Sequence, residues 1–219
     1  VSHLQKLEPE IISCTKCSRL NNWCKQVALE KKAAYRDEDY WGKPVTGFGD
    51  EEAQIVVVGL APGAHGANRT GRVFTGDRSG DWLFRAMHRA GLANQPESAR
   101  RGDGLKLKNA WVTVAVKCAP PLNKPTPAER KKCAPFLRRE LEMLSRAKVI
   151  VCLGGIAYQA MCSELGVSPR PKFGHGVQVA AGGYTLLCSY HPSQQNTFTK
   201  KLTEPMLDKI FTDAVALTN

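Results

Sequence analysis

Between Gly59 and Asp77 one carboxylate, two guanidinium groups, one imidazole and one phenyl ring are interleaved with glycines. A connection of this length with little apolar content exceeds a simple turn, and such loops are usually functional or disordered. Glycines without a Cβ let backbone amides approach a ligand closely. Arg69 and Arg72 suit phosphate, Phe74 suits stacking on a flat ring, and Asp77 suits work on water. Each has a plainer reading. Asp77 before Arg78-Ser79 has the form of a helix cap, Phe74 could be core, His65 could face solvent, and both arginines could be partners of acids. Two shorter polar clusters accompany the loop: Lys117-Cys118-Ala119-Pro120-Pro121-Leu122-Asn123 and His191-Pro192-Ser193.

Eight cysteines form a second candidate set. Cys152, Cys188 and Cys162 lie in apolar runs and read as small core residues. Cys24 reads as structural, although it stands close to the Cys14/Cys17 CxxC pair. Cys14, Cys17, Cys118 and Cys133 remain as a four-thiolate site, which suits zinc or an iron–sulfur cluster. Spacing leaves both open; a single tight pair leans toward the cluster, since zinc ribbons usually carry two.

The elements that must position these groups alternate. Ile55–Val58, Ala110–Val116, Val149–Leu153 and Tyr184–Tyr190 read as strands. Helical patterns begin near Ser79 and after Gly155, and a last one spans Glu204 to Leu217. Thr126-Pro127-Ala128-Glu129 has the form of a capping box. Pro135 is expected to kink or split the helix that follows. Alternation of strand and helix predicts a parallel α/β sheet. Ligands of such sheets gather beyond the carboxyl ends of the strands, where the three polar clusters would converge. One domain over residues 1–219 is the expectation, with the cysteine-bearing N-terminal segment packed beside Cys118 and Cys133 at a metal site.

Composition narrows the class. Hydrophobic residues make up 42% and charged residues 23%, ordinary for a globular protein, and the net charge of +11 suits a polyanion such as nucleic acid. No apolar run reaches the length of a membrane span, and the first residues carry no signal-peptide core. A cytoplasmic monomer is expected. The glycine loop lacks the GxxxxGK[ST] and GxGxxG patterns, which argues against a nucleotide-binding enzyme. A non-catalytic cysteine-metal module that binds DNA would explain charge and cysteines but not Asp77, Phe74 and His191.

Gly59-Leu60-Ala61-Pro62-Gly63 through Asp77, together with the Lys117–Asn123 and His191–Ser193 clusters and four cysteines in this order, resembles the uracil-DNA glycosylase superfamily. The likeness is nearest to family five, the B-type enzymes that carry an iron–sulfur cluster, and covers Cys14 to about Thr203. It implies a four-stranded parallel sheet flanked by helices on both faces, and a [4Fe–4S] cluster on Cys14, Cys17, Cys118 and Cys133. It also implies a DNA repair enzyme that flips a deaminated base out of the helix and hydrolyses its N-glycosidic bond. On that resemblance Asp77 acts on water, His191 meets the departing base and Asn123 assists. Gly63, Ala64, His65 and Phe74 would hold the base, and Arg69, Arg72, Ser193, Gln195 and Asn196 would contact DNA. Lys124, Arg130, Lys131, Lys132, Lys200 and Lys201 are phosphate candidates. Leu60 and Val114 replace a glutamate and an asparagine found in A-type members. Loss of these polar readers implies wider base tolerance, with hypoxanthine and xanthine beside uracil. The resemblance also admits a covalent DNA-trapping relative, but the basic histidine loop typical of it does not follow the first motif.

Overall fold

The computed structural model describes residues 3–219. In chain order the elements are helices α1 (His3–Ile12) and α2 (Ser18–Glu30), strands β1 (Phe48–Gly49) and β2 (Ile55–Gly59), and helices α3 (Ala67–Thr70) and α4 (Arg78–Arg89). Strand β3 (Ala110–Val114), helix α5 (Pro127–Met143), strand β4 (Val149–Leu153) and helix α6 (Gly155–Glu164) follow. The chain closes with β5 (Gln178–Ala181), β6 (Tyr184–Ser189), α7 (Gln194–Phe198) and α8 (Glu204–Ala216).

The sheet has six strands in the order β1-β3-β2-β4-β6-β5. Its four central strands are the expected parallel set. The four-stranded parallel expectation is corrected at both edges, where β1 and β5 pair antiparallel and make the sheet mixed. Both additions are short. β5 joins β6 through Gly182-Gly183, both at positive φ, as a two-residue hairpin turn requires.

Every residue of β2, β3 and β4 is buried, as expected for parallel strands covered on both faces. Alternation assigns the faces. Val57, Val112, Val151 and Leu187 join one core with Leu83, Met87, Ile210 and Phe211 of α4 and α8. Val56, Val58, Ile150 and Cys188 join a second core with Leu137 of α5 and Tyr158 and Met161 of α6. A third, smaller core gathers Leu7, Ile11, Leu20 and Cys24 of α1 and α2 around Val116, Cys118, Cys133 and Phe136.

Helix α5 begins with the capping box read from sequence: Glu129 N–H donates to Thr126 Oγ1 (3.2 Å) and Thr126 N–H to Glu129 Oε2 (2.8 Å). The kink or split expected at Pro135 does not divide the helix, which continues for 17 residues. Cys133, Phe136, Leu137, Glu140 and Leu141 are buried on both sides of the proline. This packing anchors each half and outweighs the lost backbone hydrogen bond.

Candidate active site

The carboxyl ends of β2, β3 and β6 open into a cavity of about 490 Å³, lined among others by Gly63, Phe74, Asp77, Asn123, His191 and Gln195. Three polar clusters far apart in sequence therefore meet at one sheet edge, as the alternating pattern requires. Leu60 and Val114 contribute apolar wall.

Asp77 is both cap and cavity residue. Its Oδ1 accepts from Gly80 N–H at 3.0 Å and caps α4. The loop lies directly over the other oxygen: a Cβ on Gly63 would come within 3.0 Å of Oδ2, and one on Gly66 within 2.0 Å. Burial pushes the carboxyl above its ordinary value of 3.8, opposed by the backbone N–H of Gly80. Gly80 has its own steric reason, since a Cβ there would stand 1.9 Å from Phe74 O.

Phe74 is buried with φ of 51°, a backbone conformation uncommon for a bulky residue. Its ring fits because Gly59 has no side chain; a Cβ there would meet Phe74 Cζ at 2.5 Å. The Phe74 and His191 rings lie 6.0 Å apart at 33°. Burial holds the His191 imidazole down to about 4, so it is neutral at neutral pH. Asn196 fixes this segment by donating from Nδ2 to His191 O at 2.9 Å. Asn123, preceded by Leu122, lies in a turn where both have positive φ. Ser193 lines the cavity and caps α7 by accepting from Asn196 N–H at 3.3 Å.

Other sequence candidates are turned elsewhere. Arg72 is buried and donates to both oxygens of Asp103 (2.9 and 2.7 Å), to Ser98 Oγ (2.9 Å) and to Thr75 Oγ1 (3.0 Å). Burial alone would raise the Asp103 carboxyl, but Arg72 and the Leu105 and Arg100 amides outweigh it and hold the group at about 2. Arg69, also buried, pairs with Glu38, donates to the carbonyls of His65 and Gly76 (both 2.7 Å), and stacks 3.8 Å over the Tyr35 ring. The expectation that these two arginines meet DNA phosphate is corrected: they brace the loop from inside. His65 Nδ1 lies 2.9 Å from Tyr40 Oη, and neither His65 nor Ala64 lines the cavity.

Sequence reading missed Gly59, Gly66 and Gly80 as site residues, together with Arg78. Arg78 lines the cavity, donates to Thr197 Oγ1 at 3.2 Å and covers the Phe198 ring at 4.5 Å. Its place beside Asp77 was the available signal. The glycines had none beyond their type, because the atoms that would clash come from the folded loop.

Cys14, Cys17, Cys118 and Cys133 line one narrow cavity in the third core. Among the described residues, no three His, Cys, Asp or Glu side chains stand as a ready single-ion site. The donor set nevertheless fits an iron–sulfur cluster in kind: four thiols from three separate segments share one cavity, and Lys117 N–H donates to Cys133 Sγ at 3.2 Å. Burial pushes the Cys133 thiol up to about 11 and also raises Cys17; Cys118 is raised by a thiol hydrogen bond with Cys24 and by burial. Thiolates gathered this way need positive charge between them, which a bound iron–sulfur cluster would supply. Cys24 lies outside this cavity lining and approaches Ala119 O at 3.5 Å.

Residues 46–215 match the family described as the uracil DNA glycosylase superfamily. The chain is 50% identical over 216 residues to the type-5 uracil-DNA glycosylase of Mycobacterium tuberculosis, covering 97% of this chain and 81% of that protein. It is 48% identical over 210 residues to the type-5 uracil-DNA glycosylase of Thermus thermophilus, covering 94% of each. Similarity falls to 37% over 158 residues for the type-4 uracil-DNA glycosylase of Archaeoglobus fulgidus, covering 71% of this chain and 62% of that protein.

Proposed function

The chain belongs to the uracil DNA glycosylase superfamily, with relatives at 48–50% identity named type-5, and from that premise we propose how its residues divide the work. It is a hydrolytic DNA repair glycosylase that removes uracil. The observation that carries the assignment of roles is the single cavity shared by Asp77, Asn123 and His191 around Phe74.

The flipped base enters this cavity and stacks on Phe74, whose left-handed backbone turns the ring inward. Hydrolysis breaks the C1′–N bond, so the base leaves with the electron pair and the sugar gains oxocarbenium character. Asp77 stabilises that positive charge and orients water toward C1′, taking one of its protons as the new C–O bond forms. Neutral His191 donates an N–H hydrogen bond to the base oxygen on which negative charge develops. The proton taken by Asp77 finally neutralises the released base. Asn123 helps hold the water, and the amides near Gly63 meet the base carbonyls.

Apolar Leu60 and Val114 in the wall favour acceptance of hypoxanthine and xanthine beside uracil. A wall that makes no hydrogen bonds to the base discriminates weakly among bases. A [4Fe–4S] cluster on Cys14, Cys17, Cys118 and Cys133 would supply thiolate–iron bonds that tie the N-terminal helices to β3 and α5. Residues 1–219 would act as one domain and as a cytoplasmic monomer. Separately, no described helix is long and apolar enough to cross a membrane.

Base release from a duplex with one uracil opposite guanine, read as alkali-labile strand cleavage, tests the assignment with Asp77→Ala in parallel. Cleavage by the parent and little by the variant is expected. Equal cleavage by both moves the water to Asn123 and His191. Tight DNA binding without cleavage by either would favour the non-catalytic metal module.

A further inference from the structure

A second cavity, of about 570 Å³, lies between α5 and α6 and takes no part in the site above. Ala115 and Leu137, which line it, belong to the core on the opposite face of the sheet from Phe74 and Val114. Four cations line it, Arg130, Lys131, Arg138 and Arg170, against one carboxylate, Glu164. That carboxylate is already engaged by Arg138 through Nε (3.1 Å) and Nη2 (2.8 Å). Arg130 Nε is shut off from solvent with no hydrogen-bond partner among the described residues. A ligand therefore meets Arg130 through the part of its side chain that lines the groove, not through Nε. The excess positive charge selects an anionic ligand, and the apolar remainder of the lining suits sugar or base.

The position of the groove narrows the ligand class. Ala115 directly follows Val114 of the active cavity, and α5 starts four residues after Asn123. One end of the groove, at Ala115 and Pro127, therefore lies near the carboxyl edge that carries the active cavity, on the opposite face of the sheet. From there Pro127 to Arg138 extend roughly 17 Å along α5, room for several phosphates. We propose that this groove receives the sugar–phosphate backbone of the DNA strand flanking the flipped nucleotide, with Arg130 and Lys131 as its phosphate contacts. The proposal rests on DNA as the substrate, and base release is followed separately so that the two readings fail separately.

The test uses the full chain and single-stranded oligonucleotides with one uracil and either short or long flanks. Binding is measured by fluorescence anisotropy across a salt series for the parent, Lys131→Gln, and Arg130→Gln/Lys131→Gln. For single strands the salt slope falls by about 0.7 for each lost phosphate contact, hence by about 1.4 in the double variant. The parent should also gain affinity with flank length, and the double variant should lose that gain. Lys131→Gln alters an exposed side chain and gives the same reading should the Arg130 change disturb folding. Base release from the short substrate reports whether the catalytic assignment stands. Equal slopes and equal flank dependence in parent and variants would overturn the proposal. So would an acidic peptide whose binding is lost in the variants while the DNA slope stays at the parental value.

Discussion

Asp77 must satisfy two demands, and one substitution separates them. The cap of α4 needs an acceptor for Gly80 N–H, whereas work on water needs negative charge. Asp77→Asn keeps the acceptor, and Asn and Asp rank alike as caps. Burial raises the Asp77 carboxyl above its unfolded value. Such a group favours folding below the unfolded pKa and opposes it once pH rises through the folded one. Asp77→Asn should therefore melt no lower than the parent at neutral pH, while base release falls by about 10²–10⁴-fold. Thermal melting beside single-turnover release checks both, and a variant that stays active would confine Asp77 to capping. His191 carries the opposite shift. Its folded pKa of about 4 lies below the ordinary 6.5, so its stability contribution is complete above 6.5 and is lost as pH falls through about 4. It should impose no acid limb near 6.5 on kcat/KM; the limb should follow ionisation of Asp77 and vanish in Asp77→Asn. A limb near 6.5 that disappears in His191→Gln would contradict this. These residues were legible in the sequence because polar types at strand ends stand out against glycine and proline. Arg69 and Arg72 misled because their partners, Glu38 and Asp103, lie 31 positions away in opposite directions.

At the scale of elements, the loop between β2 and α4 is held to the carboxylate by missing atoms. Gly66→Ala would put a methyl 2.0 Å from Asp77 Oδ2, so either the loop or the carboxylate must move. A displacement near 1 Å costs about 100-fold in rate. Gly66 has φ of −97° and ψ of −103°, outside the regions open to residues with a Cβ, so the substitution also strains the loop and lowers stability. A lower melting temperature, with a roughly 100-fold loss of release by the protein that is still folded, is the expected outcome; a parental rate would show that the loop does not position Asp77. The central strands were legible as continuous apolar runs, which burial on both faces demands. The edges were not. β1 is two residues long, and in β5 only Val179 and Ala181 turn inward while Gln178 and Ala180 face solvent. Gly182-Gly183 was the one hairpin signal. Pro135 misled because propensity weighs the lost hydrogen bond without the packing that surrounds it.

Across the whole molecule, the thiol-lined cavity lies in the smallest of three cores, apart from the two that sandwich the sheet. An iron–sulfur cluster there would stabilise the N-terminal helices far more than the sheet, because metal-binding free energy appears as folding free energy of the segments it joins. One polar path leads from this core to the active loop: Asn68 donates from Nδ2 to Cys24 O (3.3 Å) and from its N–H to Gly63 O (3.0 Å). Protein purified without oxygen should be brown, with absorption near about 400 nm from thiolate-bound iron. Cys17→Ser should lose colour and iron, while Cys162→Ser, in the second core, should keep both. Hydrogen exchange should then accelerate in α1, α2 and residues 63–68 of the colourless variant, with β2, β4 and β6 still protected. Acceleration spread evenly over the sheet would mean that the cluster supports the whole fold. No acceleration, or zinc in place of iron, would remove the cluster from the account of stability.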